Sequence, residues 1–152
     1  MTSPWTLEQI ASFTGSEESF WRTGIAGRIS IICPTMDERL LFHPQLYNCF
    51  AAQSWRDKEL VIIDTGRRPS PFFSRKMLED RRVVYRHFNV SATKWSVGFK
   101  RNLALILATG SVIAHFDDDD FYSPHYLEYM MKGLKSAAAL TLASWFVLDA
   151  CR

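Results

Sequence analysis

Short runs rich in β-branched and apolar residues recur along the chain, separated by longer amphipathic stretches. The runs 28–33 (RISIIC), 60–64 (LVIID), 83–88 (VVYRHF), 112–116 (VIAHF) and the Ser/Thr-broken stretch 140–148 read as strands. Most carry apolar side chains on both faces, which suits strands covered by helices on two sides. Between the first two runs, Pro44 fits the first helical position, and Leu46, Cys49 and Phe50 form one apolar stripe ahead of Trp55. Between the third and fourth, Phe99, Leu103, Ile106 and Leu107 recur at helical spacing, with Gly110 placed to end the helix. After the fourth, Ser123 and Pro124 read as a cap and first turn, followed by Leu127, Met130, Met131 and Leu134. Lys132 and Lys135 then lie near the negative end of that helix's dipole. The segment 67–80, with Pro69 and Pro71, reads as a loop or broken helix. Residues 1–27 show no period and form a lead-in; residues 28–152 form one domain. Strands alternating with helices predict an α/β, Rossmann-like architecture, with a mostly parallel sheet flanked by helices.

Composition narrows the class. The 152 residues are 47% apolar and 22% charged, enough for one ordinary core. No run approaches the roughly 18 apolar residues of a membrane span, and no basic stretch followed by an apolar one marks a secretory signal at the start. Cys33, Cys49 and Cys151 are too scattered for a disulfide framework or a zinc site; they read as buried or incidental thiols, and a cytoplasmic location is expected. The net charge of +2 is uninformative, but its distribution is not. Residues 67–101 hold ten Lys/Arg against Glu79 and Asp80, whereas residues 102–152 hold six acids and three bases. That stretch is either a solvated basic face or part of a site that places protein cations beside a cation-holding acidic group. No module motif or sustained basic helix accompanies it, so nucleic acid is not an expected partner.

In an open α/β sheet, ligands bind beyond the carboxyl ends of the strands. Pro34 and Thr35 follow the first strand, Asp64 closes the second, and Asp117, Asp118, Asp119 and Asp120 follow the fourth. Four consecutive aspartates are commonly a solvated run. Here apolar residues flank them, and like charges at a partly buried edge either take up protons or bind a cation. Carboxylates favour hard divalent ions, Mg²⁺ or Mn²⁺, whose shells are completed by water and phosphate. A metal-bridged diphosphate is the expected ligand. In an extended segment Asp117 and Asp119 point to one face and Asp118 to the other. Neither GxxxxGK[ST] nor GxGxxG is present, and a phosphatase-type aspartate nucleophile lacks its downstream Lys and acidic partners. His115 reads as a buried core histidine, His125 as a helix-start surface residue, and the aromatics as core.

The ordered set Ile29 to Thr35, Gln53-Ser-Trp55, Glu59 to Gly66, Gly98 to Ala104, Ala108-Thr-Gly110 and Ile113 to Pro124 resembles the nucleotide-sugar-binding half of a family 2 glycosyltransferase with the GT-A fold. The resemblance covers about residues 28 to 135. It implies metal-dependent transfer, with inversion, of a sugar from a UDP- or GDP-sugar type donor to an unidentified acceptor, in a chain that stops before the acceptor half. It implies nucleotide contacts from Pro34, Thr35, Asp64, Lys100, Arg101, Asn102 and Asp118, and Mn²⁺ or Mg²⁺ binding by Asp117 and Asp119. Met36-Asp37 and Thr65 depart from the family pattern, which often has Tyr-Asn and a second acid there. The general base is not visible in the sequence, and Asp149, the last acid, fits a structural or surface role better. Two other readings are a donor-binding module without turnover and an α/β domain whose acidic loop binds calcium.

Overall fold

The computed structural model describes residues 24–91, 94–135, 137–144 and 146–147. Its strands are β1 (Ile25–Met36), β2 (Lys58–Thr65), β3 (Val83–Phe88) and β4 (Gly110–His115). They form one sheet in the order β3-β2-β1-β4, with every pairing parallel. The helices are α1 (His43–Ala52), entered through a 3-10 turn at Asp37–Phe42, then α2 (Pro71–Glu79), α3 (Val97–Leu107) and α4 (Tyr126–Leu134).

Alternation within the central strands feeds two cores. Ile29, Ile31 and Cys33 of β1 join Leu60 and Ile62 of β2 against Leu46, Phe50, Phe73 and Leu127 from α1, α2 and α4. On the opposite face Ile32, Val61 and Ile63 meet Leu103 and Ala104 of α3, with Trp95. Helices on both faces explain why β2 is buried along its whole length.

The ends of the strands run past the apolar runs because buried polar residues there have partners. Lys58 Nζ donates to the Gln53 and Trp55 carbonyls at 2.6 and 2.8 Å. Glu59 Oε1 accepts from the Ser30 hydroxyl at 2.5 Å and the Thr109 amide at 2.6 Å. Gly110 donates its amide to Ser30 Oγ at 2.8 Å. A β-carbon on Gly110 would lie 2.6 Å from the Arg28 carbonyl oxygen and 2.8 Å from the Ser30 nitrogen. Gln53 ties the end of α1 to the start of α4: its Nε2 donates to the Ser123 carbonyl at 2.8 Å, and its Oε1 accepts the Leu127 amide at 3.1 Å.

Several expectations are corrected. Gly110 opens β4 and does not end the preceding helix, which stops at the Ala108 cap. The segment 67–80 contains the regular helix α2, whose Ser70 cap accepts the Phe73 amide at 3.2 Å. Ser123 and Pro124 lie before α4, because their carbonyls accept from Gln53 and the Ser54 amide. The described residues of 140–148 form no strand, and 145 and 148 lie outside the described residues. His115 is exposed, since β4 is an edge strand. β1 begins at Ile25, ahead of the boundary expected at residue 28. Cys33 and Cys49 are buried free thiols; Cys151 and Asp149 lie outside the described residues. No described helix is long and apolar enough to cross a membrane.

Candidate functional site

The strand order reverses between β1 and β4: β2 and β3 extend the sheet on one side and β4 on the other. A crevice opens at such a point, beyond the carboxyl ends. Thr35 pairs with Asp64 across β1 and β2, and the Phe116 amide donates to the Ile32 carbonyl at 3.1 Å, bringing the acidic loop beside β1.

The loop is not the extended segment expected but a turn at Asp118 and Asp119, with the Asp120 amide donating to the Asp117 carbonyl at 3.4 Å. Asp118 turns inward and is 2% exposed, whereas Asp117, Asp119 and Asp120 are exposed. Asp118 Oδ2 accepts the Thr35 hydroxyl at 2.6 Å, and Oδ1 accepts Arg39 Nε at 2.6 Å. The same guanidinium reaches Asp119 Oδ2 through Nη2 at 2.5 Å. Arg101 Nη2 pairs with Asp117 Oδ1 at 3.0 Å. Among the described residues no arginine pairs with Asp120, and partial burial with Asp117 and Asp119 nearby holds its carboxyl above the usual range. Aromatic rings close the loop. Phe116 and Tyr122 stack with centroids 3.6 Å apart and planes 4° from parallel, and the Tyr122 hydroxyl accepts the Asp117 amide at 2.9 Å.

Asp64, at the end of β2, is fully buried. Its Oδ2 accepts the Tyr85 hydroxyl and, at 3.2 Å, the Ser70 amide, while Oδ1 has no partner among the described residues. Burial and the bond to Asp64 push the Tyr85 hydroxyl well above its ordinary proton affinity. Lys100, on α3, is 2% exposed and donates to the Thr35 carbonyl at 2.8 Å and to Thr65 Oγ1 at 3.3 Å. Burial lowers its proton affinity, opposed by the charges of Asp64 and Asp118. Thr65, where the family often has an acid, thus serves Lys100. Gly66 has φ +147, and a side chain there would overlap the Asp37 carboxylate, which accepts the Arg67 amide at 2.9 Å.

Of the sequence candidates, Thr35, Asp64, Lys100 and Asp118 come together in one buried group, with Arg101, Asp117 and Asp119 at its rim. Pro34 is half-buried at the end of β1, and Asn102 is exposed on α3, with no side-chain bond to the group among the described residues. The sequence reading missed four contributors. Arg39 lies outside the basic stretch 67–101, and His43 sits in the turn-to-helix junction, where no pattern marks it. Tyr85 reads as strand core. Ser70 alone carried a visible signal, a cap residue immediately before Pro71.

Asp117 and Asp119 each bind one arginine through one oxygen and remain exposed. Mg²⁺ or Mn²⁺ commonly takes one or two carboxylates and completes its shell with water and phosphate, so this donor set fits such an ion. Among the described residues no three His, Cys, Asp or Glu side chains converge to form a closed cage.

The family model for glycosyl transferase family 2 matches residues 30–149. Solved structures share the fold. S. aureus TarS 1-349 in complex with UDP-GlcNAc is 19% identical with a TM-score of 0.58, covering 71% of this chain and 31% of that one. The same protein with UDP is 20% identical with a TM-score of 0.60, covering 71% and 32%. S. aureus TarS itself gives 20% identity and a TM-score of 0.59, covering 71% of this chain and 19% of that one. The match therefore spans about a third or less of those structures. No curated protein matches the sequence. A GT-A-like sheet carrying its strand-end acids at the β1/β4 crevice, and a family match over most of the chain, lead to one statement: the chain belongs to glycosyl transferase family 2.

Proposed function

We propose that the crevice binds a nucleoside-diphosphate sugar, with the nucleoside toward Thr35, Asp64 and Asp118 and the diphosphate toward Asp117 and Asp119, and that the chain is the donor-binding half of a glycosyl transfer. The observation carrying this reading is the convergence on Thr35, near the end of β1, of Asp118 from the loop after β4, which accepts its hydroxyl, and of Lys100 from α3 and Thr65 from the end of β2, which donate to its carbonyl. The unpartnered Asp64 Oδ1 supports the nucleoside end, because a buried acceptor without a donor costs about 1–3 kcal/mol and a base N–H meets that need. Uracil and guanine both offer such an N–H, so a UDP- or GDP-sugar fits; the structure of S. aureus TarS with UDP-GlcNAc supports the uridine form.

A divalent ion, Mn²⁺ or Mg²⁺, held by Asp117 and Asp119 would neutralise charge growing on the departing diphosphate. The protein's own cations do complementary work. Lys100 fixes the end of β1 at Thr35 from inside, and Arg101, whose buried Nε has no partner among the described residues, has a donor left for a phosphate oxygen. In the inverting transfer we propose, the acceptor oxygen forms its bond to the anomeric carbon as the bond to the diphosphate oxygen breaks. The diphosphate keeps the electron pair, and the acceptor proton passes to a base. No residue is assigned to that base; Glu128, on α4, is paired with His125 at 3.5 Å. The second reading is donor binding without turnover.

Titration calorimetry with UDP tests the proposal. Binding should depend on Mn²⁺, and Asp119→Ala should weaken it by about 10–100-fold, the range typical of disturbed metal sites. Absence of UDP binding at millimolar concentration, with and without Mn²⁺, would refute donor binding. Sugar transfer or donor hydrolysis by the wild-type chain, lost in Asp119→Ala, would exclude the second reading.

A further inference from the structure

His43 opens α1 and is completely buried. Its two ring nitrogens meet two hydroxyls: Nε2 lies 2.9 Å from Thr35 Oγ1, and Nδ1 lies 2.8 Å from Ser70 Oγ. Proton counting fixes the direction of each bond. The single Thr35 hydroxyl proton goes to the Asp118 carboxylate at 2.6 Å, so Thr35 Oγ1 can only accept from the imidazole, and Nε2 carries a hydrogen. Ser70 Oγ already accepts the Phe73 amide, so its hydroxyl proton is available for Nδ1. A neutral ring with hydrogen on Nε2 satisfies every group. Burial, which lowers the proton affinity of His43 despite Asp64 and Asp118, agrees with neutrality. The ring also packs against Phe73, with centroids 4.9 Å apart.

The chain of bonds continues at both ends. Ser70 donates its amide to Asp64 Oδ2 at 3.2 Å, and Thr35 reaches Asp118. We infer that His43 is a positioning residue, which holds the Thr35 hydroxyl on Asp118 and links that acid, through Ser70, to Asp64, so that one interior relay sets both nucleoside-facing carboxylates. The inference rests on the donor-site reading above. Without the Nε2 donor, Thr35 is free to rotate its hydroxyl away, and Asp118 keeps only Arg39.

The test uses substitutions that separate the two nitrogens. Glutamine places an N–H near the Nε2 position and asparagine near Nδ1, while phenylalanine keeps the volume and removes both. UDP affinity in the presence of Mn²⁺ should fall by about tenfold in His43→Asn and His43→Phe, the equivalent of one lost buried hydrogen bond. His43→Gln should restore it to within about threefold of wild type. A purely structural histidine would make affinity follow thermal stability across the three variants. Equal affinity of the Asn and Gln forms, in a wild-type background that binds UDP, would overturn the positioning role and leave donor binding intact. Wild type that fails to bind UDP would instead overturn donor binding, and this inference with it. Nitrogen-15 chemical shifts of His43 in the unaltered, ligand-free chain give an answer independent of any variant's folding. The tautomer with hydrogen on Nε2 supports the relay; hydrogen on Nδ1, or on both nitrogens, refutes it.

Discussion

Replacing Arg39 by methionine isolates what holds the buried aspartate of the acidic loop. Asp118 has a side chain 3% exposed, and its only charged partner in the pairings above is Arg39, which is 30% exposed. Methionine keeps most of the stem that lies along Phe42, whose ring sits 5.1 Å from the guanidinium carbon, and removes the charge. Breaking a buried pair by deleting one partner costs about 3–5 kcal/mol; because water reaches the Arg39 side, about 2–3 kcal/mol is expected here. For a chain of this size that is roughly 4–12 °C in Tm. Asp119→Asn removes the other arm of the same fork, but Asp119 is 46% exposed, so about 0.5 kcal/mol or less should be lost. The double variant Arg39→Met/Asp118→Asn should regain at least about 1 kcal/mol relative to Arg39→Met, since no uncompensated charge then remains inside. Urea denaturation of the four proteins supplies the values. The reasoning fails if Asp119→Asn costs as much as Arg39→Met, or if the double variant is no more stable than Arg39→Met alone.

Gly110→Ala should destabilise the fold by about 3 kcal/mol, because the added carbon would press on the Arg28 carbonyl and Ser30 nitrogen of the neighbouring strand, which cannot move without breaking the β1/β4 pairing; a thermal melt within about 2 °C of wild type would contradict this. Arg82, bonded to both oxygens of Asp80, holds that carboxyl below its ordinary 3.8, at about 2. A depressed acid stabilises the fold above its unfolded value and loses that contribution as it protonates, so the stability gap between wild type and Asp80→Asn should shrink as pH falls from 3.8 toward about 2. Denaturation midpoints recorded across that interval decide the matter, and a gap that stays constant would rule out the assigned cause.

The parts of the fold that rest on continuous apolar runs were legible in the chain. The cores of β1, β2 and β3 followed directly, because two-sided burial demands β-branched residues in unbroken sequence. Their ends were not, since Lys58 and Glu59 look like solvated flanks until the carbonyls and hydroxyls that neutralise them are in place. Gly110 suits either a helix stop or a close strand approach, and only the neighbouring Arg28 and Ser30 backbone distinguishes them. The site divides in the same way. Thr35, Asp64 and Asp118 stood out as polar residues at strand ends, where the topology brings them together. Arg39 and His43 reach the same place through an irregular 3-10 turn, which leaves no period to read. Density of charge alone could not divide the basic stretch between its two readings: Arg67, Arg68, Arg75, Arg81, Arg82, Arg86 and Lys94 are exposed, as a solvated face requires, and of the ten only Lys100 and Arg101 join the acidic group.

The stacked pair Phe116 and Tyr122 gives the acidic segment a hinge-free frame that owes nothing to charge. Since the rings and one amide bond fix where the segment leaves and rejoins the domain, individual carboxylates between them can be exchanged while the backbone keeps its path. Such a clip separates the shape of the acidic rim from its charge, and lets a lineage alter that rim by point changes without refolding the edge of the sheet.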